Sequence, residues 1–314
     1  MVTGVVDAVT ERRRGSPRPR GLPAWRRRDR SSGYLFVAPQ VVGTTMFVLI
    51  PFAAGVVLAF AKWDGLTELT WVGLKNFGTV LGDPVFLKSI LNTVLIAVIT
   101  APVGLGLALV VAVGLDKIRG RTVYLLCYFA PVLTSSVAVS LIWQQLFRQD
   151  GNLSQSIAAI FGIDPPAWLS DPHLVLMAVC IVIIWSSMGL NVVLFLAGLQ
   201  AISPSVVEAA RIDGAGPWTM LRRIRIPLLS PIIFFTTVVS VISSFQTFDA
   251  VFILTKDGGP QNSARTIVYH VYDVGFRKFE FGLASAASVV LLILTVMVTL
   301  AQIALQKRLV HYES

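Results

Sequence analysis

The sequence predicts an all-α, polytopic membrane protein with six transmembrane helices, and three observations lead there. Apolar residues make up 55% of the 314 and charged residues only 14%, with a mean hydropathy of +0.74. A soluble domain of this length needs more charge to cover its surface. Six long runs free of charge follow one another, near 34–61, 90–115, 122–147, 174–199, 226–248 and 281–306. Each meets the roughly 20 apolar residues that a bilayer core about 30 Å thick demands. If the N-terminus is cytoplasmic, 18 of the 26 Lys and Arg fall on that same side. That asymmetry places both termini in the cytoplasm. Alternating strands of about ten residues, the signature of a membrane barrel, do not occur.

The elements follow in order. Residues 1–33 carry nine Arg, including Arg12, Arg13, Arg14, Arg26, Arg27 and Arg28. With its Pro and Gly this head reads as a disordered or surface-lying cytoplasmic segment. Its charge suits orientation and lipid headgroups better than nucleic acid, so the formal net charge of +9 points to a membrane. Ala59-Phe60-Ala61 imitates a signal cleavage site, but the apolar run before it is too long for a cleaved signal. The transmembrane domain is therefore set at 34–306, with a short cytoplasmic tail at 307–314.

The loops after spans one and three (63–88 and 148–172) are external, contain Trp71, Trp168, Pro165 and Pro166, and suit short surface helices. Spans two and three are joined by the basic turn from Asp116 to Arg121, which makes them antiparallel neighbours. Cys127 and Cys180 lie inside spans without metal-like spacing and read as small apolar core residues. No P-loop occurs, so ATP is not expected to bind this chain through one. Neither paired mid-membrane acids nor a clustered catalytic set is present. An ion- or proton-coupled secondary transporter and a membrane-embedded enzyme are the competing classes, and both call for such groups.

The cytoplasmic loop at 200–225 is the most specific stretch. Ser203 reads as an N-cap before Pro204 in the first turn, and Gly214 suits a left-handed helix end. Gly216-Pro217 then begins a second short helix leading into span five at Ile226-Pro227. The pattern is a projecting helix–turn–helix. Ala209 and Ala210 leave a low-relief face, while Glu208 and Asp213 offer carboxylates.

Glu208-Ala209-Ala210, Asp213-Gly214-Ala215, Ile224-Arg225-Ile226-Pro227 and Pro231 resemble the signature loop of binding-protein-dependent ABC importer permeases. Leu254-Thr255-Lys256-Asp257-Gly258-Gly259-Pro260, followed by Thr266, Tyr269, Tyr272, Phe276 and Gly282, is similar to the first permease of carbohydrate-type importers. That group includes the maltose and glycerol-phosphate systems. The resemblance covers nearly the whole chain beyond the basic head. It implies the type I importer permease fold in a bacterial cytoplasmic membrane. It also implies a coupling loop of Glu208, Ala209, Ala210, Asp213, Gly214 and Ala215 that docks on an ATP-hydrolysing subunit. The expected partners are a second homologous permease, two ATPase subunits carrying the ATP and magnesium, and an external substrate-binding (lipo)protein. No cofactor is expected on this chain.

Polar residues inside spans tend to face a watery path or a helix neighbour. Ser240, Ser243, Ser244 and Thr247 share one helical face of span five, and Ser187 and Asn191 lie one turn apart in span four. The serines suit a cavity or close packing equally; Asn191 suits a cavity. Asp249 is expected near the outer interface rather than in the path. By the resemblance, Ser187, Leu190, Ser240, Ser244 and Thr247 fall where the maltose permease contacts its sugar. Leu190 stands for an aromatic there and Ser244 for an amide, departures that point away from maltose. The expected substrate is a sugar or related polyol compound.

Overall fold

A computed structural model describes residues 24–309, with side chains defined from 34 to 306. The basic head up to residue 23 and the tail beyond 309 lie outside the described residues. The chain divides between Ala54 and Gly55 into two units. In the first, helix α1 (Ala24–Thr44) passes through a π turn (Thr45–Leu49) into α2 (Ile50–Leu58). Helix begins at Ala24, inside the segment read from its composition as disordered or surface-lying. Short-range helix propensity outlasts the charge run, because Ala24 and Trp25 precede the arginines and no Gly or Pro interrupts up to Ser32.

The second unit opens with a hairpin of β1 (Ala61–Lys62) and β2 (Thr70–Trp71), which pair antiparallel in the register Ala61↔Trp71. Asp64 closes its turn. Its Oδ1 accepts from the backbone N–H of Thr67 (2.7 Å), the Thr67 hydroxyl (2.7 Å) and the backbone N–H of Leu66 (3.0 Å). These donors pull the Asp64 carboxyl down to about 2. Helix α3 (Lys75–Gly82) is fastened beneath by Asn76, whose Nδ2 donates to the carbonyls of Ala59 (3.0 Å) and Ala61 (2.8 Å).

Asp83 caps the next helix, accepting from Val85 N–H at 2.9 Å, and Pro84 occupies the first turn where no donor is needed. Helix α4 (Pro84–Leu115) buries Ile96, Ala97, Thr100, Ala101, Gly104, Leu105, Ala108 and Ala112, one face at helical spacing. It lies against α8 (Val175–Ala201), and small residues let the two axes approach. One cluster packs Ile96 with Val175, Val179 and Val182; the other packs Leu105 with Val192, Phe195 and Leu199.

Span three departs from expectation twice. It is broken: α5 (Arg121–Leu133) and α6 (Ser136–Leu146) meet at 98° across Thr134 and Ser135, both extended. Pro131 near the end of α5 removes a backbone donor, and Thr134 closes the helix with N–H to the Pro131 carbonyl at 3.2 Å. It also does not lie beside α4: α5 rests on α8 instead. The reason is Gly189. A Cβ there would stand 2.1 Å from the Tyr128 carbonyl oxygen, so only glycine admits the α5 backbone. Cys180 is buried as expected, but Cys127 on α5 is exposed rather than in the core. Between spans three and four, α7 (Asn152–Phe161) is one of the expected surface helices, and α3 the other.

After α8 come α9 (Pro204–Ile212) and a run of α10 (Pro217–Thr219), a π segment (Met220–Arg225) and α11 (Ile226–Leu228). This run meets α12 (Ser230–Phe245) at 67°, so span five too is bent. Helix α13 (Asp249–Leu254) follows across residues 246–248 and packs on α6.

Residues 255–280 include α14 (Ile267–Tyr272) and a π turn (Asp273–Arg277), and lead into α15 (Phe281–Leu309), whose Phe281–Gln306 portion is the sixth apolar run. The segment is clasped to α4. Asn92 Nδ2 donates to the carbonyls of Asn262 (2.9 Å) and Arg265 (3.0 Å), and Ile267 N–H donates to Thr93 Oγ1 (3.1 Å). Within it, Arg265 Nη2 lies 2.6 Å from Asp273 Oδ2, both side chains buried. Burial alone would raise the Asp273 carboxyl, but the Arg265 hydrogen bond and three nearby cations outweigh it and hold the group below its ordinary range. His270, edge-on to Phe86 at 5.1 Å between centroids, is buried beside Arg265, and its pKa falls from the ordinary 6.5 to about 4.

Candidate functional site

The stretch 203–228 forms the helix–turn–helix that its residues announce. Gly214 has φ +80, and around it Ala215 N–H bonds to the Ala210 carbonyl (2.9 Å) and Gly214 N–H to the Arg211 carbonyl (3.0 Å). These 6→1 and 5→2 bonds are a Schellman C-cap, which a β-carbon at 214 would strain. Ser203 differs from expectation. It has extended backbone at the cap position, but its hydroxyl lies 2.7 Å from the Ser205 hydroxyl rather than on a helix N–H. The proximity of two hydroxyls diverts the cap.

The two alanines divide between faces: Ala209 is exposed with Glu208 and Asp213, whereas Ala210 is buried. Ala215 is half-buried at the turn. Two residues that sequence reasoning passed over complete the exposed surface, Ile212 at 86% exposure and Trp218 at 70%. A large apolar side chain bare on a projecting turn was the signal available. The base of this structure is anchored to the turn after α4, where Arg225 Nη1 donates to Asp116 Oδ2 at 3.0 Å and both groups are largely buried.

The intramembrane candidates do not converge on one site. Ser244 is buried on α4, its hydroxyl 3.0 Å from that of Thr100 and 2.8 Å from its own helix's Ser240 carbonyl. Its geometry is that of a packing residue. Ser243 points outward and Ser240 and Thr247 are half-buried. Ser187 is exposed, with its hydroxyl on the Ile184 carbonyl at 3.3 Å, beside Leu190, 44% exposed. Asn191 is buried, at 8% exposure, rather than open to a cavity. None of the seven lines the apolar cavity of about 630 Å³ between α4, α12 and α15, which Ala97, Pro102, Leu105, Phe195 and Val241 surround.

Two polar groups outside the candidate set tie α6 to α13, one of them at the break in span three. The hydroxyl of Ser136, first residue of α6, donates to Asp249 Oδ2, and Gln144 Nε2 donates to the Ile253 carbonyl. Broken helices in membrane proteins expose backbone dipoles only where protein or a water-lined cavity can satisfy them. Asp249 is thus partnered across the bundle by the break in span three. The apolar run through 122–147 concealed that break.

The fold defines a class: a helical membrane permease with a helix–turn–helix at 203–228 between its fourth and fifth apolar runs. Residues 77–311 match the family model of the binding-protein-dependent transport system inner membrane component, and the chain belongs to that family. The chain is 34% identical to the lactose transport system permease protein LacF of Rhizobium radiobacter over 276 residues, 86% of this chain and 92% of the relative. Over 285 residues it is 34% identical to the sn-glycerol-3-phosphate transport system permease protein UgpA of Agrobacterium fabrum (89% and 96% covered). A crystal structure of a bacterial ABC transporter involved in the import of the acidic polysaccharide alginate matches with a TM-score of 0.80 at 20% identity, covering 91% of this chain and 99% of that one. The fold is that of an ABC importer permease.

Proposed function

We propose that this chain is one of two permeases forming the path of an ATP-driven importer for a sugar or related polyol compound, in a bacterial cytoplasmic membrane. The projecting loop 203–228 carries the proposal. Its Schellman turn holds Glu208 and Asp213 outward beside the bare side chain of Ile212, an arrangement suited to a cleft on another protein. The excess of Lys and Arg on the same side supports a cytoplasmic position for it.

The occupant of that contact is an ATPase subunit, one for each permease, which brings ATP and magnesium; this chain itself hydrolyses nothing. When the ATPases close, the loop moves, and the Asp116–Arg225 pair passes the motion to α4 and α12. The bundle switches between inward- and outward-facing states according to nucleotide and partner. An external binding protein delivers the substrate on the opposite side. The lactose and sn-glycerol-3-phosphate systems of the relatives support a hydroxylated solute. Ser187, Leu190, Ser240, Ser243 and Thr247 are the proposed path, with exposed Ser187 and Ser243 as its first contacts and buried Asn191 and Ser244 behind them.

The test is purification of the chain from its native membrane in mild detergent, with mass spectrometry of what accompanies it. An ATPase, a second permease and a solute-binding protein are expected. Recovery of the chain alone, with a control importer intact, would replace this reading by a self-sufficient, ion-coupled transporter.

A further inference from the structure

Beside the projecting loop, and sharing Ala215 and Trp218 with it, a cavity of about 580 Å³ opens between the end of α4 and the run 215–225. Its lining combines the apolar Val113, Gly114, Met220 and Leu221 with the basic Lys117, Arg211 and Arg225, and includes Trp218. Arg225 is neutralised by Asp116. Lys117 and Arg211 are exposed, and among the described residues neither forms an ion pair within 4.0 Å. Two cations outside any ion pair therefore line one concavity together with apolar side chains.

Position fixes what such a cavity can take. It begins at the last turn of a long apolar span, where the hydrocarbon core gives way to headgroups. Lys and Arg there reach for the interface, and an exposed Trp is at home at the same depth. Apolar residues continuous with a span and basic residues in the same lining match an acyl chain and a phosphodiester. Open space lies beside Gly114, where a β-carbon would meet no atom within 4 Å, so a larger side chain there could enter the groove.

We infer that this cavity binds the headgroup of an anionic phospholipid, with the phosphodiester between Lys117 and Arg211 and an acyl chain along Val113 and Leu221. Because the lipid touches both α4 and the loop that ends at Arg225, it braces the loop against the bundle. The site rests on the fold and not on which side of the membrane the loop occupies.

The full-length chain, with whatever subunits accompany it, is reconstituted into nanodiscs of phosphatidylcholine with phosphatidylglycerol in both leaflets. Stepwise delipidation is followed by native mass spectrometry. Symmetric leaflets make lipid retention independent of orientation, and cysteine labelling at position 213 in sealed cells reads orientation separately. The wild type is expected to hold phosphatidylglycerol after phosphatidylcholine is lost. Lys117→Gln with Arg211→Gln should weaken that retention about tenfold or more. Gly114→Leu, which fills the groove without touching charge, should do the same. Equal retention by wild type and variants, or equal retention of both lipids, overturns the proposal. So does displacement by millimolar inorganic phosphate, which would mark a free-anion site. Loss of an accompanying ATPase with lipid binding intact would assign the basic residues to that protein instead.

Discussion

Asp116, just past the end of α4, and Arg225, at the foot of the projecting loop, meet at 3.0 Å although 109 residues separate them. Both side chains are mostly shielded, at 12% and 15% exposure, so the pair is a rigid strut rather than a loose surface contact. A hydrogen bond to a charged partner is worth about 1.5–3 kcal/mol, and removing one side leaves the other charge partly buried. Asp116→Ala is expected to lower thermal stability by that order and to reduce transport further than the stability loss explains. The double exchange Asp116→Arg with Arg225→Asp should restore part of both. A charge swap that recovers nothing, measured by uptake and melting together, would deny the strut its role.

If the loop at Gly214 is the ATPase contact proposed above, substitutions there should impair uptake without impairing folding. Gly214→Val forces a branched side chain into φ +80 and should displace the outward face; Glu208→Lys reverses its charge. Each should cut uptake at least about tenfold, a change of about 1.4 kcal/mol in coupling, while membrane abundance stays near wild type. Uptake assays paired with quantitative blots check this.

Neighbouring serines in span five should behave differently. Ser244→Leu must enlarge a side chain already packed on Thr100, which typically costs about 1–3 kcal/mol, so its melting temperature should fall. Ser243→Leu points outward and should leave melting unchanged while weakening substrate uptake. Equal melting temperatures would contradict the packing assigned to Ser244.

His270 makes the outer segment sensitive to acid. Burial, and then the Arg265 charge, keep its imidazole neutral to about pH 4, against 6.5 when unfolded. The sign follows from proton uptake. Between about 6.5 and 4 the unfolded chain binds a proton that the folded one refuses, so stability is complete above 6.5 and falls as pH drops through that window. His270→Gln should flatten this part of the stability curve in a detergent melting series.

Much of the architecture was legible because a bilayer leaves few options. Charge-free runs of about 20 residues located the apolar segments, and the ends of α8 and α15 fall within a few residues of the runs. The loop was legible for a local reason: Pro204, Gly214 and Pro217 dictate backbone geometry without help from distant residues. What stayed hidden depended on tertiary contact. Nothing near residue 134 distinguishes a kinked span from a straight one with a proline, because the partners of the break, Asp249 and Ile253, come more than a hundred residues later. That α5 settles on α8 depends on Gly189, one glycine among 24 whose neighbour only the fold reveals. Serines at helical spacing look alike in sequence; Thr100 decides that Ser244 is the buried one.

The bend in span three has a consequence for biosynthesis. While ribosomes are still making the chain, 122–147 leaves the insertion machinery as an uninterrupted apolar stretch. Asp249 and the Ile253 carbonyl, which receive Ser136 and Gln144, do not yet exist. The tie of α6 to α13 is therefore made only after residue 253 has been translated. A chain halted after residue 201 should hold α5 and α6 only through Pro131 and α8, without the ties from Ser136 and Gln144 to α13.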